Sequence, residues 1–386
     1  MPGFVYNESM QSLPLIQPGA SPGQTAILDC TTDELAQRLA AGGHPPLRAR
    51  QIRRWLLVGR ANSFDAMTDL PARLRAELAQ SYLPFSLRLV RHLQSADQTH
   101  KLLLQTRDQR LIECVLIQQD GRKTACISTQ VGCGMGCVFC ASGLNGVERN
   151  LSVGEIIEQL VLLRNLTGPG ERLTHIVVMG MGEPLANLTN LLAALEVACD
   201  RDGLGIGARH VTISTVGLPG KIRKLAEAGK QYHLAVSLHA PNDALRSQIV
   251  PTNAKTGIGA ILEAADAFQA ITGRQVTYEY VLLGGLNDSP SHGRELARLL
   301  HGRQAHVNLI PFNHVAGLPY RRPSAEAQQQ FIAQLRQAGI SVKVRKRRGA
   351  DIDAACGQLR RQFESRSTQA TNTLTVQAEE RLERLD

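Results

Sequence analysis

From residue 152 onward the chain alternates short apolar runs with amphipathic stretches, and no other feature restricts its fold as tightly. The runs cover 175–179, 210–214, 233–237, 275–281, 306–310 and 341–345. Each is the length of a strand. Helical stretches lie before or between them, such as 152–166, where Ser152 and Glu155 stand at capping-box spacing, and 325–338. Repeated strand–helix alternation predicts a parallel α/β barrel or open sheet, whose ligand sites lie beyond the carboxyl ends of the strands. With 386 residues, 43% of them hydrophobic, there is material for a large central domain and a smaller appendage.

The flanking regions read differently. Residues 1–30 hold Pro, Gly, Ser and Gln without periodicity, and 365–386 are rich in Thr, Gln and Glu, so both are expected to be disordered. Residues 31–84 read as a small basic helical domain: Thr31 and Glu34 form a capping box, and Leu35, Leu39, Ile52, Trp55 and Leu56 recur among arginines. Residues 85–125 shift to short apolar runs broken at Asp97-Gln98 and Asp120-Gly121, which predicts an antiparallel β extension. The barrel is then assigned to 126–345 and a C-terminal segment to 346–364.

The residues just past each strand carry the chemistry. The first run leads into Gly180, Met181, Gly182, Glu183 and Pro184, the second into Ser214, the third into Ser237-Leu238-His239, and the fifth into Asn313. Glycines let a ligand approach the backbone, Glu183 offers a carboxylate to an ammonium group, and Ser214 and Asn313 supply hydrogen-bonding groups. Upstream, Cys133, Cys137 and Cys140 place three thiols within eight residues and leave no obvious fourth. A structural zinc site wants four protein ligands, whereas an iron–sulfur cluster on three cysteines leaves one iron open to bind something.

The three-cysteine motif with Phe139 before its last cysteine, followed by the Gly182-Glu183-Pro184 loop and the strand–helix alternation, resembles the radical S-adenosylmethionine (SAM) superfamily. More narrowly, residues 179–184, 237–243 and 351–358 resemble the RlmN/Cfr family of RNA adenosine methyltransferases, a likeness that covers about residues 31–363. The resemblance implies a partial (β/α)6 TIM-like radical SAM barrel with the small N-terminal helical domain and short β extension. It implies that Cys133, Cys137 and Cys140 hold one [4Fe-4S] cluster. Gly182, Glu183, Ser214, Ser237, Leu238, His239 and Asn313 would bind SAM, with Phe139 near the adenine.

By the same resemblance, Cys356 becomes an S-methylcysteine intermediate and two SAM molecules are consumed per turnover. A 5′-deoxyadenosyl radical takes hydrogen from that methyl group, and the methylene radical adds to the adenine ring. Cys126 is then the resolving thiol, leaving a transient disulfide with Cys356, and Glu113 is the candidate proton acceptor. Without the resemblance, Glu113 between Ile112 and Cys114 reads as a solvent-facing strand residue. Asp351 and Asp353 are expected to cap a helix that orients Cys356.

The implied substrates are carbon 2 of an adenosine in 23S rRNA and of adenosine 37 in tRNA. The alternatives are Cfr-like carbon-8 methylation and a non-enzymatic, metal-stabilised RNA-binding protein. A net charge of +9 suits a polyanion, and Arg48, Arg50, Arg53, Arg54 and Arg60 around Trp55 are expected to meet phosphates. The resemblance also implies an electron donor such as flavodoxin, and a monomer is expected. Eight cysteines with three crowded together, no charged-then-apolar leader, and no run of about 18 apolar residues predict a cytoplasmic protein without a membrane span.

Overall fold

The computed structural model describes residues 23–168, 170–315, 317–345, 349 and 352. The leader up to residue 22, the tail 365–386, and Asp351, Asp353 and Cys356 lie outside the described residues.

The fold begins earlier than residue 31. Strand β1 (Thr25–Ala26) pairs in parallel with β2 (Tyr82–Leu83), and Ile27 and Leu28 on the following 3-10 turn are buried. Two apolar residues on a single turn leave no periodicity to read, which is why the sequence places them in a leader. Helix α1 (Thr32–Ala41) opens with the expected capping box: the Glu34 N–H donates to the Thr31 hydroxyl, and the Thr31 N–H donates to the Glu34 carboxylate. Helices α2 (Leu47–Leu57) and α3 (Ala72–Ser81) bury Ile52, Leu56, Leu74 and Leu78.

The arginines of this domain do not act alike. Arg53 is buried and donates to the Cys30 carbonyl at 2.8 Å. Arg60 donates to the carbonyls of Thr167, Gly168 and Glu171, fastening the helical domain to the rest of the chain. Both are therefore structural, against the expectation that they meet phosphates. Arg48 is tied to Gln51 and the Asp69 carbonyl, while Arg50 and Arg54 remain exposed.

Strands β3 (Arg88–Gln94), β4 (His100–Gln105), β5 (Leu111–Gln119) and β6 (Arg122–Cys126) form the antiparallel extension. The β5–β6 turn is Asp120-Gly121 with φ of 47° and 75°, the left-handed pair that a tight hairpin needs. The chain then makes a two-stranded ribbon, β7 (Gln130–Gly132) and β8 (Val147–Asn150), with the thiol loop between them. Helix α4 (Val153–Asn165) comes next, capped by Ser152 and Glu155 as expected.

Strand β6 also pairs in parallel with β9 (His175–Val178), so the extension and the barrel are one sheet rather than two units. Beyond β9 come α5 (Leu188–Cys199), β10 (Val211–Thr215), α6 (Pro219–Glu227), β11 (His233–Ser237), α7 (Asp243–Ile249), α8 (Asn253–Thr256) and α9 (Ile258–Thr272). The described chain then adds β12 (Val276–Leu282), α10 (Pro290–Leu299), β13 (Ala305–Pro311), α11 (Ala325–Gln337) and β14 (Ser341–Val344). Along the large sheet every pairing from β14 to β6 is parallel, in the strand order β14-β13-β12-β11-β10-β9-β6-β5-β4-β3. This is the partial α/β barrel that the alternation predicts, and its first strand lies inside the range assigned to the extension.

Strand alternation gives the sheet two unlike faces. Ala125, Ile176, Ile213, Val236, Tyr278 and Leu309 lie on one and are buried in the main core with the helices. The register places Cys126 beside Val177, Val177 beside Thr212, Ser237 beside Glu279 and Glu279 beside Asn308 on the other. That second face is the barrel lumen, and it is polar.

Candidate active site

The thiol loop is built by backbone contacts. The Cys133 N–H donates to the Gly146 carbonyl at 2.8 Å, that of Cys140 to the Cys137 carbonyl at 3.0 Å, and that of Val138 to the Ile249 carbonyl at 3.0 Å. Gly132 is required at its start, since a Cβ there would lie 2.2 Å from the Gly146 oxygen. Met135, Phe139 and Cys140 pack with Cys137 and Ala141 into a second apolar cluster that includes Ala240, Leu245, Val281 and Phe312. The loop thus rests on residues at the carboxyl ends of the barrel strands.

Burial pushes the Cys133 thiol up to about 12 and the Cys137 thiol further, and the neighbouring thiols add to both shifts. Among the described residues no trio of His, Cys, Asp or Glu side chains stands at metal-holding distance. The three thiols share one loop and one charge environment without being drawn together. Their chemistry still fits a [4Fe-4S] cluster: three soft donors, apolar neighbours, and thiols that would lose their protons to a metal.

The strand-end residues meet one another in part. Gly182 has φ of 101°, and a Cβ there would lie 2.7 Å from the Gln130 Cβ, so only glycine fits. Glu183 is buried, and burial raises its pKa while donors oppose the shift: the Leu185 N–H at 3.0 Å and the Val216 N–H at 2.9 Å. A carboxylate has about four acceptor sites, so capacity for an ammonium group remains. The Ser214 and Ser237 hydroxyls stand 3.3 Å apart. Asn313 is not drawn to this pair; its side-chain oxygen accepts from Arg322 at 3.1 Å.

Leu238 and His239 contribute through their positions. His239 holds φ of 61°, and its Nδ1 accepts the Val281 N–H at 3.1 Å. Burial pushes its pKa down to about 3, so the ring is neutral with its proton on Nε2. Its ring and that of Phe139 meet edge to face with centroids 4.9 Å apart, joining the thiol loop to the end of β11.

Sequence reasoning missed Arg246. The side chain is 1% exposed and donates to the carbonyls of Val216 (2.5 Å), Ser237 (3.1 Å) and Leu238 (2.9 Å) and to the Asn253 side chain (2.6 Å). It therefore ties the turn after β10 to the turn after β11, and its charge acts on Cys137. Burial lowers its pKa to about 10, which leaves it charged. An Arg in an exposed-looking α7 pattern gives no local sign of this role.

Cys126 ends β6 on the lumen face, opposite Val115. Glu113 lies on that same face two residues away, and its carbonyl accepts the Ser128 hydroxyl at 2.6 Å. The expectation that Glu113 faces solvent is overturned: it is 2% exposed and paired with the Lys101 ammonium at 2.8 Å. The strand pattern hides this because Lys101 sits on the neighbouring strand. No disulfide links the described cysteines, and Cys356, the expected partner of Cys126, falls outside them.

A partial parallel barrel whose strand ends support a loop of three closely spaced thiols, with no fourth ligand among the described residues, belongs to the radical SAM class. The model of the Radical SAM superfamily accordingly matches residues 127–296, and that of the "Ribosomal RNA large subunit methyltransferase N-terminal domain" matches 25–83. A "Probable dual-specificity RNA methyltransferase RlmN" of Rhodopirellula baltica is 53% identical over 91% of this chain and 96% of its own. One of the same name from Symbiobacterium thermophilum is 45% identical over 88% of this chain and 92% of its own. The crystal structure of a radical SAM methyltransferase from Sphaerobacter thermophilus superposes with a TM-score of 0.84 at 47% identity, covering 86% of this chain and 98% of that one. The chain belongs to the RlmN family of radical SAM methyltransferases.

Proposed function

We propose that the protein methylates carbon 2 of an adenosine in 23S rRNA and of adenosine 37 in tRNA, using two SAM molecules and a methylated Cys356. The observation that carries this reading is the placement of Cys126 and the buried Glu113 on one face of the sheet, beside the barrel lumen. The match to the N-terminal domain of the large-subunit ribosomal RNA methyltransferases supports an rRNA substrate, and the relatives named RlmN favour carbon 2 over Cfr-like carbon-8 chemistry.

Cys133, Cys137 and Cys140 would hold a [4Fe-4S] cluster, which with bound SAM supplies the one-electron chemistry that an unreactive aromatic carbon demands. The open backbone at Gly182, the Glu183 carboxylate, Ser214, Ser237, Leu238, His239 and Asn313 would receive SAM. Cys356 carries the incoming carbon as a thioether and becomes joined through it to the ring. The carbon-2 proton then passes to a Glu113 oxygen, its bonding pair staying in the ring, and the unpaired electron left by radical addition passes to a one-electron carrier of flavodoxin type.

Release falls to Cys126. Its thiolate attacks the Cys356 sulfur, so that an S–S bond forms and the S–C bond breaks. The electron pair of that bond stays on the methylene carbon, which takes up a proton to become the methyl group. A dithiol reductant returns two electrons to reopen the disulfide. On the helical domain, Arg50 and Arg54 are exposed cations available to phosphate.

The test is mass spectrometry of digested rRNA and tRNA from cells with and without the gene, together with the Cys356 peptide. Expected are 2-methyladenosine in both RNAs and a methylated Cys356. An unmodified Cys356 with unchanged RNA would overturn the reading, and 8-methyladenosine would replace carbon 2 with carbon 8.

A further inference from the structure

We infer that Lys101 is a positioning residue for proton removal, its ammonium fixing the Glu113 carboxylate in place beside Cys126. This rests on the reading of Glu113 as the proton acceptor. Lys101 is 0% exposed and its Nζ lies 2.8 Å from Glu113 Oε2. It pairs across the strands with Val115, which on its other side pairs with Cys126, so all three groups share the lumen face.

The surroundings make such a pair an unexpected choice for stability. Leu103, directly across from Glu113, packs in an apolar cluster with Leu111, Val90 and Leu93. Replacing a buried ion pair by apolar residues of similar volume is often neutral or stabilising. The pair does, however, solve a chemical problem. A carboxylate buried without a cation takes up a proton and can no longer accept one.

The same protein supplies the comparison. Glu158, buried on α4, receives N–H groups from Ser86 and Leu87 and the Ser86 hydroxyl, yet burial still raises its pKa to about 8. Three neutral donors do not keep a buried carboxylate ionised at neutral pH; a full positive charge at 2.8 Å is a stronger device. The other titratable or charged groups on the elements around Glu113 are Cys114 on β5, His100 on β4, Arg88, Arg91 and His92 on β3, Arg122, Lys123 and Cys126 on β6, and Glu155, Glu158 and Arg164 on α4. His100 is lowered to about 4 by burial and is neutral, and Cys114 is held far up by burial and by Glu113 itself. Glu158 lies against the helix-covered face, Glu155 pairs with Arg149, and Arg91 lies on the outermost strand of the extension.

The test uses the cluster-loaded full chain and substrate RNA, with three readouts between about pH 6 and 9.5: Cys356 methylation, the covalent protein–RNA adduct, and its release as methylated RNA. Lys101→Met should methylate Cys356 and form the adduct, but release it on the order of tenfold more slowly at pH 7, with the deficit shrinking as the pH rises, since a carboxyl buried without a cation ionises only at higher pH. Lys101→Arg should keep the original profile. A Lys101→Met profile identical to that of the unaltered protein overturns the inference. If Lys101→Met does not accumulate, the double variant Lys101→Met/Glu113→Gln decides: release no slower than in Glu113→Gln alone supports the inference, and slower release overturns it. Normal release by Glu113→Gln would instead overturn the role of Glu113 and the inference with it.

Discussion

The two faces of the ten-stranded sheet come from the same strands, residue by alternate residue, and they do opposite things. The helix-covered face is a continuous apolar core in which Ile176, Ile213, Val236 and Leu309 meet helices. The lumen face holds Cys126, Ser214, Ser237, Glu279 and Asn308, with the Lys101–Glu113 pair at its edge. Burying apolar surface stabilises, whereas burying polar groups costs unless each finds a partner. The lumen is thus the face on which stability yields to chemistry, and substitutions should separate the two.

The largest separation is expected at Cys126→Ala. Methylated RNA should fall at least about a thousandfold as the protein–RNA adduct accumulates, while thermal unfolding hardly changes; an equal loss of both would erase the distinction between the faces. The mirror case is Leu160→Ala, on the fully buried face of α4. It should lose about 2–5 kcal/mol of stability in denaturant titrations, with activity per folded molecule kept.

Arg246→Met tests a residue that ties two strand-end turns together. Loss of a side chain that binds three carbonyls and Asn253 should cost on the order of 1–3 kcal/mol and weaken SAM binding measured by calorimetry. A stability loss with unchanged SAM affinity would make Arg246 purely structural.

Glu158 gives a pH-dependent effect from the helix side. Its folded pKa of about 8 exceeds the ordinary 4.5, so between those values the folded state holds a proton that the unfolded state has released. Stability should therefore fall as pH rises through that window, by at most about 1.4 kcal/mol per pH unit. Glu158→Gln should flatten the curve. Smallest is the effect on stability of Arg50→Ala and Arg54→Ala, within about 0.5 kcal/mol. Each should instead weaken RNA binding and reduce the salt slope by about one.

Much of this molecule is legible in its order of residues. The run 233–237 is a strand with the same bounds in the fold, the capping boxes at Thr31 and Ser152 form as spaced, and Asp120-Gly121 turns its hairpin. These features depend on contacts within a few residues. The site is only half legible: three thiols on one loop can be read directly, but Arg246 and Lys101 cannot, because their acceptors come from other strands and turns.

The five arginines around Trp55 mark that limit. They look equivalent along the chain, yet Arg53 and Arg60 serve the packing while Arg50 and Arg54 face solvent. Glu113 makes the same point from the other sign of charge, reading as a surface residue and standing buried against Lys101. The sequence alone determined the alternating strands and helices of the barrel, the capping boxes, the Asp120-Gly121 turn and the thiol spacing, since backbone periodicity is local. Only the tertiary structure decided which charges are buried and what they face, because burial depends on segments far apart in the chain.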